Sequence, residues 1–509
     1  MWRRLSELPL LVLLMGITAL SMWLPASHAL ILSDHDTAQA FFYSGIILLV
    51  LTAMIGIATV HHRARNPARA NLAALVGAYV LLPVMMALPF VQALPDTTWT
   101  NAWLEMVSCF TTTGSTLYDP ARLPASIHLW RAQVGWLGGL FILVAAVAIL
   151  APMTLGGIEV VSGRVPGRGA EGLSQITATA DPARRVARQA AAILPLYAAL
   201  TITLWILLLM AGQPNLVALI HAMSTISTSG ISATGGLPVT GPTFFAELAI
   251  LLGLLPAITR RFWPGSLAHD PDSRLWTDPE LRMTMVILLA IPVLLFLRHW
   301  LAVASGTGPV GSSDDAIAGL RALWGTVFTT LSFLTTTGFT SADWITAKQW
   351  SGLETPGLVL AGLAIFGGGV ATTAGGVKLL RVYALFRQGE RELERLVHPN
   401  SVGGSGPGAR RLRREGAYLA WIFFMLFALT IGALVAALSL TGLPFEPSLI
   451  LTLGALTTTG PLTTVAAAEP ISLAELPGAA KAILGLAMVV GRLELLAILV
   501  VLAPDSWRR

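Results

Sequence analysis

A short threonine-rich segment closing on glycine occurs four times: CFTTTGST at 109–116, ISTSGIS at 226–232, LTTTGFT at 334–340 and LTTTGPL at 456–462. Its glycines, Gly114, Gly230, Gly338 and Gly460, lie 116, 108 and 122 residues apart. Each copy ends a short apolar run, at about 99–111, 215–226, 323–335 and 446–457. A repeat of this length is one structural unit used again, so it limits the fold before any other feature does. One Thr-Thr-Gly alone is an ordinary loop. Four of them, each behind a short apolar run, are not.

Composition places the units in a membrane. Of 509 residues, 55% are hydrophobic and 12% charged, where a soluble domain carries about 25% charged residues. A helix crosses a bilayer with roughly 20 apolar residues. Ten stretches qualify: about 8–30, 38–60, 71–93, 129–153, 191–211, 243–259, 283–302, 355–385, 416–441 and 477–503. The four runs before the motifs are too short to span and read as re-entrant or buried helices. With the N-terminus inside, 25 of the 32 Lys and Arg residues fall on inner segments, as the positive-inside rule requires. Arg122, Arg131, Arg298, Arg321, Lys348 and Lys481 are the outer ones, and Arg492 lies within a span. Both termini are then cytoplasmic and all four motifs sit in the outer half. The stretch from MWRR to ASHA at 26–29 is similar to a signal peptide, and its removal would leave this topology unchanged.

The expected fold class is an all-α polytopic membrane protein. Two N-terminal spans (1–62) stand outside the repeat. Four units follow at 63–160, 161–262, 263–390 and 391–509, each a span, a short helix, the motif and a return span. Two full spans per unit make the repeats parallel, arranged around an axis along the membrane normal. Inverted repeats would point to a rocking transporter instead.

Irregular backbone at membrane depth is tolerated where it lines a water-filled cavity or is buried in protein. Rings of carbonyl oxygens replace the hydration shell of an alkali cation. Glycine frees the backbone to turn a carbonyl inward, and the negative ends of the short helices point toward the axis. Asp96, Asp119, Asp314, Asp315, Asp343, Glu354, Glu469 and Glu475 fall on outer segments, where acids attract cations or are simply solvated. No span carries a His/Asp/Glu cluster with catalytic or metal spacing, so no enzyme is expected. No covalently bound cofactor and no nucleic-acid partner are expected either. The single cysteine, Cys109, permits no internal disulfide.

Four longer stretches carry a family resemblance: SFLTTTGFTSADW at 332–344, WRAQVGWLGGLFILVAAVAILAPM at 130–153, GGGVATTAGGVKLLR at 367–381 and GRLEL at 491–495. Together with the two extra N-terminal spans, they resemble the Trk/Ktr/HKT superfamily of potassium transporters, and within it the TrkH type, almost from end to end. The resemblance implies potassium uptake across a bacterial inner membrane, with K+ as the transported ion. It also implies a homodimer with one pore per protomer and a cytosolic nucleotide-binding regulatory ring of the TrkA type. The filter it implies is Thr112, Thr113, Gly114; Thr228, Ser229, Gly230; Thr336, Thr337, Gly338; and Thr458, Thr459, Gly460, acting mainly through backbone carbonyls. The second copy departs from the family's commoner STGG and the fourth from NTGPG, which leaves potassium-over-sodium selectivity open.

The resemblance also implies that the third return span breaks into a gating loop near Gly367, Gly368, Gly369, Gly375 and Gly376. Five glycines in ten residues make a poor helix; close packing by small residues is the other reading. The spacing is not that of a phosphate-binding loop. Arg492 resembles the family's pore arginine, a barrier below the filter, and a charge within a span marks function by default. A structural tie to a carboxylate or to loop carbonyls is the alternative. Glu494 is two residues away, off the same helix face, and so bonds another element. Lys378 either faces the pore or snorkels to the inner interface. The inner segment 386–415 offers a contact for the regulatory ring or a basic surface near anionic lipid. A competing function is the ion-binding subunit of a multi-subunit potassium ATPase, although the chain has no ATP-binding domain of its own.

Overall fold

The computed structural model describes residues 9–59, 67–153, 155–160, 182–237, 243–264, 276, 278–304, 313–351, 356–398, 414–467 and 469–502. The basic stretches around Arg164 and Arg168 and at 399–413, the terminal arginines, Glu354, and the side chains of Asp314 and Asp315 lie outside the described residues. Among the described residues every regular element is a helix.

α1 (Leu10–Ser21) and α2 (Trp23–Ile31) make a nearly continuous apolar rod, and α3 (His35–Thr59) returns beside it. Gly45 brings α3 against α2, since a Cβ there would lie 3.0 Å from Trp23 Nε1. Lipid tails are as apolar as leucine, so helices in a membrane pack through small residues of this kind.

The four units follow. The first is α4 (Pro67–Ala93), α5 (Trp99–Phe110) and α6 (Ala125–Ala145), the last continued by a π turn at Ala146–Leu150 and a 3₁₀ turn at Ala151–Met153. The second is α7 (Pro182–Met210), α8 (Asn215–Ser227) and α9 (Thr243–Leu254). The third is α10 (Pro279–Ala304), α11 (Ser313–Leu334), α12 (Trp344–Ser351) and α13 (Pro356–Phe366), after which a loop leads into α14 (Leu379–Val397). The fourth is α15 (Arg414–Ser439), α16 (Phe445–Leu456), α17 (Leu462–Val465), α18 (Gly478–Leu493) and α19 (Leu495–Leu502). Pro124, Pro214, Pro444 and Pro477 stand at the caps of α6, α8, α16 and α18. Proline's fixed φ suits a helix start, and it brings no amide needing a partner there.

The units join in a ring. Each return helix packs on the short helix of the next unit: α6 on α8, α9 on α11, α13 on α16, and α18 back on α5. In their apolar windows only 17% of α10 and of α15 is buried, against 78% for the window containing α6. The first helices of units three and four are therefore peripheral, and the return helix of unit one is central.

Seven of the ten expected spans coincide with helical stretches long and apolar enough to cross a membrane. Three differ. The 243–259 stretch gives a short helix ending in a 3₁₀ turn at Pro256. The 355–385 stretch has no helix from 367 to 378, and the 477–503 stretch breaks at Glu494, whose φ is 63°. In the other direction, α11 is 22 residues long, longer than the apolar run at 323–335. Its polar first turns, with Arg321, hide it from an apolar-run criterion.

Two cations assigned to the outer surface are buried. Arg131 is 2% exposed and its Nε lies 2.7 Å from Glu105 Oε1. Lys481 is 7% exposed and donates to Asn101 Oδ1 at 2.9 Å and to the Ala474 carbonyl at 2.8 Å.

Candidate functional site

The short helix of every unit ends in the same way. The amide of Thr112 donates to the Cys109 carbonyl (3.0 Å) and that of Thr113 to Ser108 (2.8 Å). The same pair recurs from Thr228 to Thr225 (3.1 Å) and Ser229 to Ser224 (2.9 Å), and from Thr336 to Phe333 (3.1 Å) and Thr337 to Ser332 (2.9 Å). Thr458 to Ala455 (3.2 Å) and Thr459 to Gly454 (2.8 Å) complete the set. This is a Schellman cap, which requires one left-handed residue and usually takes glycine. Here it takes threonine four times, at φ 56°, 53°, 58° and 55° for Thr112, Thr228, Thr336 and Thr458. A side-chained residue costs about 1–2 kcal/mol there, so all four positions hold a hydroxyl against a local preference for glycine.

The four ends meet. A Cβ on Gly114 would strike the Ser229 carbonyl, and one on Gly230 the Thr337 carbonyl. A Cβ on Gly338 would strike the ring of Pro461, and one on Gly460 the backbone of Gly114 and Ser115. The contact order is unit one to two to three to four and back to one. The Gly460 amide also donates to the Thr113 carbonyl at 2.6 Å. All twelve residues expected at the site are thus brought together, and the eight Thr and Ser members are fully buried. The oxygens gathered here are backbone carbonyls and hydroxyls, with Thr112 Oγ1 and Thr458 Oγ1 buried and unpartnered. Among the described residues no group of three or more His, Cys, Asp or Glu is placed to hold a metal ion.

The fourth copy differs. It turns from Pro461 (φ −59°, ψ −10°) straight into α17. The Thr463 hydroxyl donates back to the Gly460 carbonyl at 2.9 Å.

Residues 367–378 lie against the foot of this ring. The Gly375 amide donates to Thr336 Oγ1 at 2.7 Å, and the Thr373 hydroxyl reaches the Ile226 carbonyl at 3.4 Å. A Cβ on Gly375 would strike the Thr457 carbonyl, so glycine is required by proximity. Gly367 and Gly376 take left-handed φ of 72° and 74°, while Gly368 and Gly369 press on the Ala257 and Ile258 carbonyls. Glu280 holds the loop from the side, its Oε1 accepting the Val370 amide at 2.7 Å. Of the two readings of this stretch, a non-helical segment is what the structure shows, and its small residues serve close contact as well.

Arg492 is 5% exposed. Its Nη1 donates to the Thr373 carbonyl at 2.6 Å, while its Nε and Nη2 are buried without a hydrogen-bond partner among the described residues. Lys378 does not snorkel: it is 7% exposed and folds its ammonium back onto the Ala374 carbonyl. Arg492, Lys378, Glu494, Gly375 and Gly376 share the wall of one small cavity. Glu494 bonds another element, as expected: Arg381 Nη2 lies 2.7 Å from Glu494 Oε2, and the guanidinium stacks 3.7 Å from the Phe423 ring centroid. Of the outer acids, Asp96 pairs with Arg122, Asp119 caps a 3₁₀ turn through the Ala121 amide at 3.0 Å, and Glu469 and Glu475 are exposed.

Sequence reading missed Glu105, His221, Thr329, Glu247, Glu280 and Arg381. The first three stand nine residues before Gly114, Gly230 and Gly338, each on the helix that ends at its motif. Aligning the copies on their glycines was the signal that could have exposed them.

A ring of four parallel helix-end motifs inside a polytopic helical bundle defines a membrane transport protein of the cation-pathway class. The comparisons agree. The TrkH family, described as cation transport protein, matches residues 37–236 and 239–509. The Trk system potassium uptake protein TrkH of Salmonella typhimurium is 31% identical over 98% of both chains. Its counterpart in Vibrio parahaemolyticus is 30% identical, over 97% of this chain and 98% of that one. The crystal structure of the potassium transporter TrkH from Vibrio parahaemolyticus superposes with a TM-score of 0.80 at 27% identity, covering all of both chains. The chain belongs to the TrkH family, a family of transport proteins and not of enzymes.

Proposed function

We propose that this protein takes up K+ across the bacterial inner membrane through the ring of Thr112–Gly114, Thr228–Gly230, Thr336–Gly338 and Thr458–Gly460. The cyclic contact of these four segments carries the reading. Inward carbonyls substitute for water around a cation, and no carboxylate in the ring fixes the ion too tightly to leave. The pore-forming units are 63–160, 161–262, 263–390 and 391–509, behind the accessory helices of 1–62. Both termini are cytoplasmic.

Below the filter, the loop with Gly367, Gly368, Gly369, Gly375 and Gly376 closes the path, and Arg492 with Lys378 supplies positive charge that a cation must pass. The bond from Arg492 to Thr373 supports a gate in which arginine and loop move together. The protein works as a homodimer in the lipid bilayer and is governed by a cytosolic nucleotide-binding ring of the TrkA type. α14 supports a partner, since it leaves Phe386, Leu393, Leu396 and Val397 exposed.

The test is growth rescue of an uptake-deficient host at low potassium, followed by rubidium flux into proteoliposomes. Rescue and flux are expected, and well-folded protein without either would end the reading. Gly338→Ser should lower the K+/Na+ flux ratio, and an unaltered ratio would remove Gly338 from the filter.

A further inference from the structure

We infer that Glu105, His221 and Thr329 are positioning residues that hold the outer ends of three filter segments and so set potassium-over-sodium selectivity. The inference rests on the filter reading above. Each residue stands nine positions before its filter glycine, and each reaches over to the chain just past that glycine. Glu105 Oε2 accepts the Leu117 amide at 2.9 Å. His221 Nε2 meets Ser232 Oγ at 3.1 Å while its Nδ1 meets Gln213 Oε1 at 3.0 Å. Thr329 Oγ1 accepts the Ser341 amide at 3.3 Å. Those partners lie three, two and three residues beyond Gly114, Gly230 and Gly338. The side chains are chemically unlike, yet they do the same job from the same place.

These irregular segments have no ladder of their own to stiffen them. The Schellman cap fixes each at its foot, and the second tether fixes it at its outer end, on the same short helix. Between two such ties the carbonyl spacing is held. Burial strengthens the ties: Glu105 and His221 are wholly buried. Arg131 neutralises Glu105 at 2.7 Å. The third segment is held twice, because Glu247 also accepts from Ser341 Oγ (2.7 Å) and the Ala342 amide (2.8 Å). The fourth copy has Leu451 at the equivalent position, which offers no polar atom. Its outer end leans on a neighbour through the Gly460 amide and the Thr113 carbonyl.

The experiment measures K+ and Na+ flux in proteoliposomes for four variants beside Gly338→Ser. His221→Phe keeps the ring volume and its edge contact with Phe339 but removes the tether. It should lower the K+/Na+ ratio about three-fold, one ordinary hydrogen bond expressed as a ratio, with K+ flux at saturation little changed. His221→Gln should restore the ratio. Thr329→Val is isosteric, and it should give a smaller fall because Glu247 still holds the segment at Ser341 and Ala342. Leu451→Met perturbs a short helix that carries no tether, so its ratio should stay at the wild-type value. Unchanged ratios in both His221→Phe and Thr329→Val, with Gly338→Ser altered, overturn the tethers while the filter stands. A fall in Leu451→Met as large as in His221→Phe also overturns them. If Gly338→Ser is silent as well, the filter reading falls and the tethers fall with it.

Discussion

Thr112, Thr228, Thr336 and Thr458 are held in a conformation that glycine takes at no cost. The strain is local, and the hydroxyl is what the chain keeps in return. Thr458→Gly should therefore leave the thermal midpoint in detergent unchanged or higher, by about 1 kcal/mol of relieved strain. It should also weaken K+/Na+ discrimination; a wild-type ratio would show that the Thr458 hydroxyl has no part in it. Arg492→Ala removes the donor to Thr373 and a positive charge from the proposed path, so rubidium flux should rise several-fold. A flux at or below wild type would assign Arg492 to structure alone. At this scale the sequence is informative where one residue type repeats at one offset. That is why Thr112, Gly114 and their counterparts were legible. Glu105, His221 and Thr329 were not, since three unlike side chains at a shared offset form no visible motif, and their partners depend on how the chain turns after the glycine.

Elements were legible where a single helix spans the apolar stretch. They were not where backbone bonds compete with the helix. From 367 to 378 the Glu280 carboxylate and the Ala257 carbonyl take the amides of Val370 and Gly369. Those acceptors come from a distant part of the chain, which composition does not reveal. The five glycines pointed to a break but not to its contact with Thr336. The second break, at Glu494, had no glycine to announce it and is stabilised by the pair with Arg381. Glu494→Gln removes the carboxylate charge that faces that guanidinium, which is 0% exposed. Breaking one side of a buried pair costs about 3–5 kcal/mol. The thermal midpoint should drop by several degrees, and Arg381→Met added to Glu494→Gln should recover part of it. An undiminished midpoint in the single variant would mean that the pair contributes nothing to holding α18 and α19 to α14.

Over the whole molecule, the repeat gave the number of units and the parallel arrangement, and the packing of α6 on α8 through to α18 on α5 closes them in chain order. The charge asymmetry predicts orientation: a C-terminal alkaline phosphatase fusion should be inactive and a green fluorescent protein fusion bright. The opposite pair of results would invert the topology. The ring also has a consequence for how such a protein varies. In a channel assembled from identical subunits, any substitution changes all four sides at once. Here one covalent chain supplies four separately encoded sides, so Ser229 and Pro461 each alter a single quadrant while the rest keep their form. On the proposed filter, selectivity can thus be adjusted in small steps, and no two faces of the ring are obliged to remain alike.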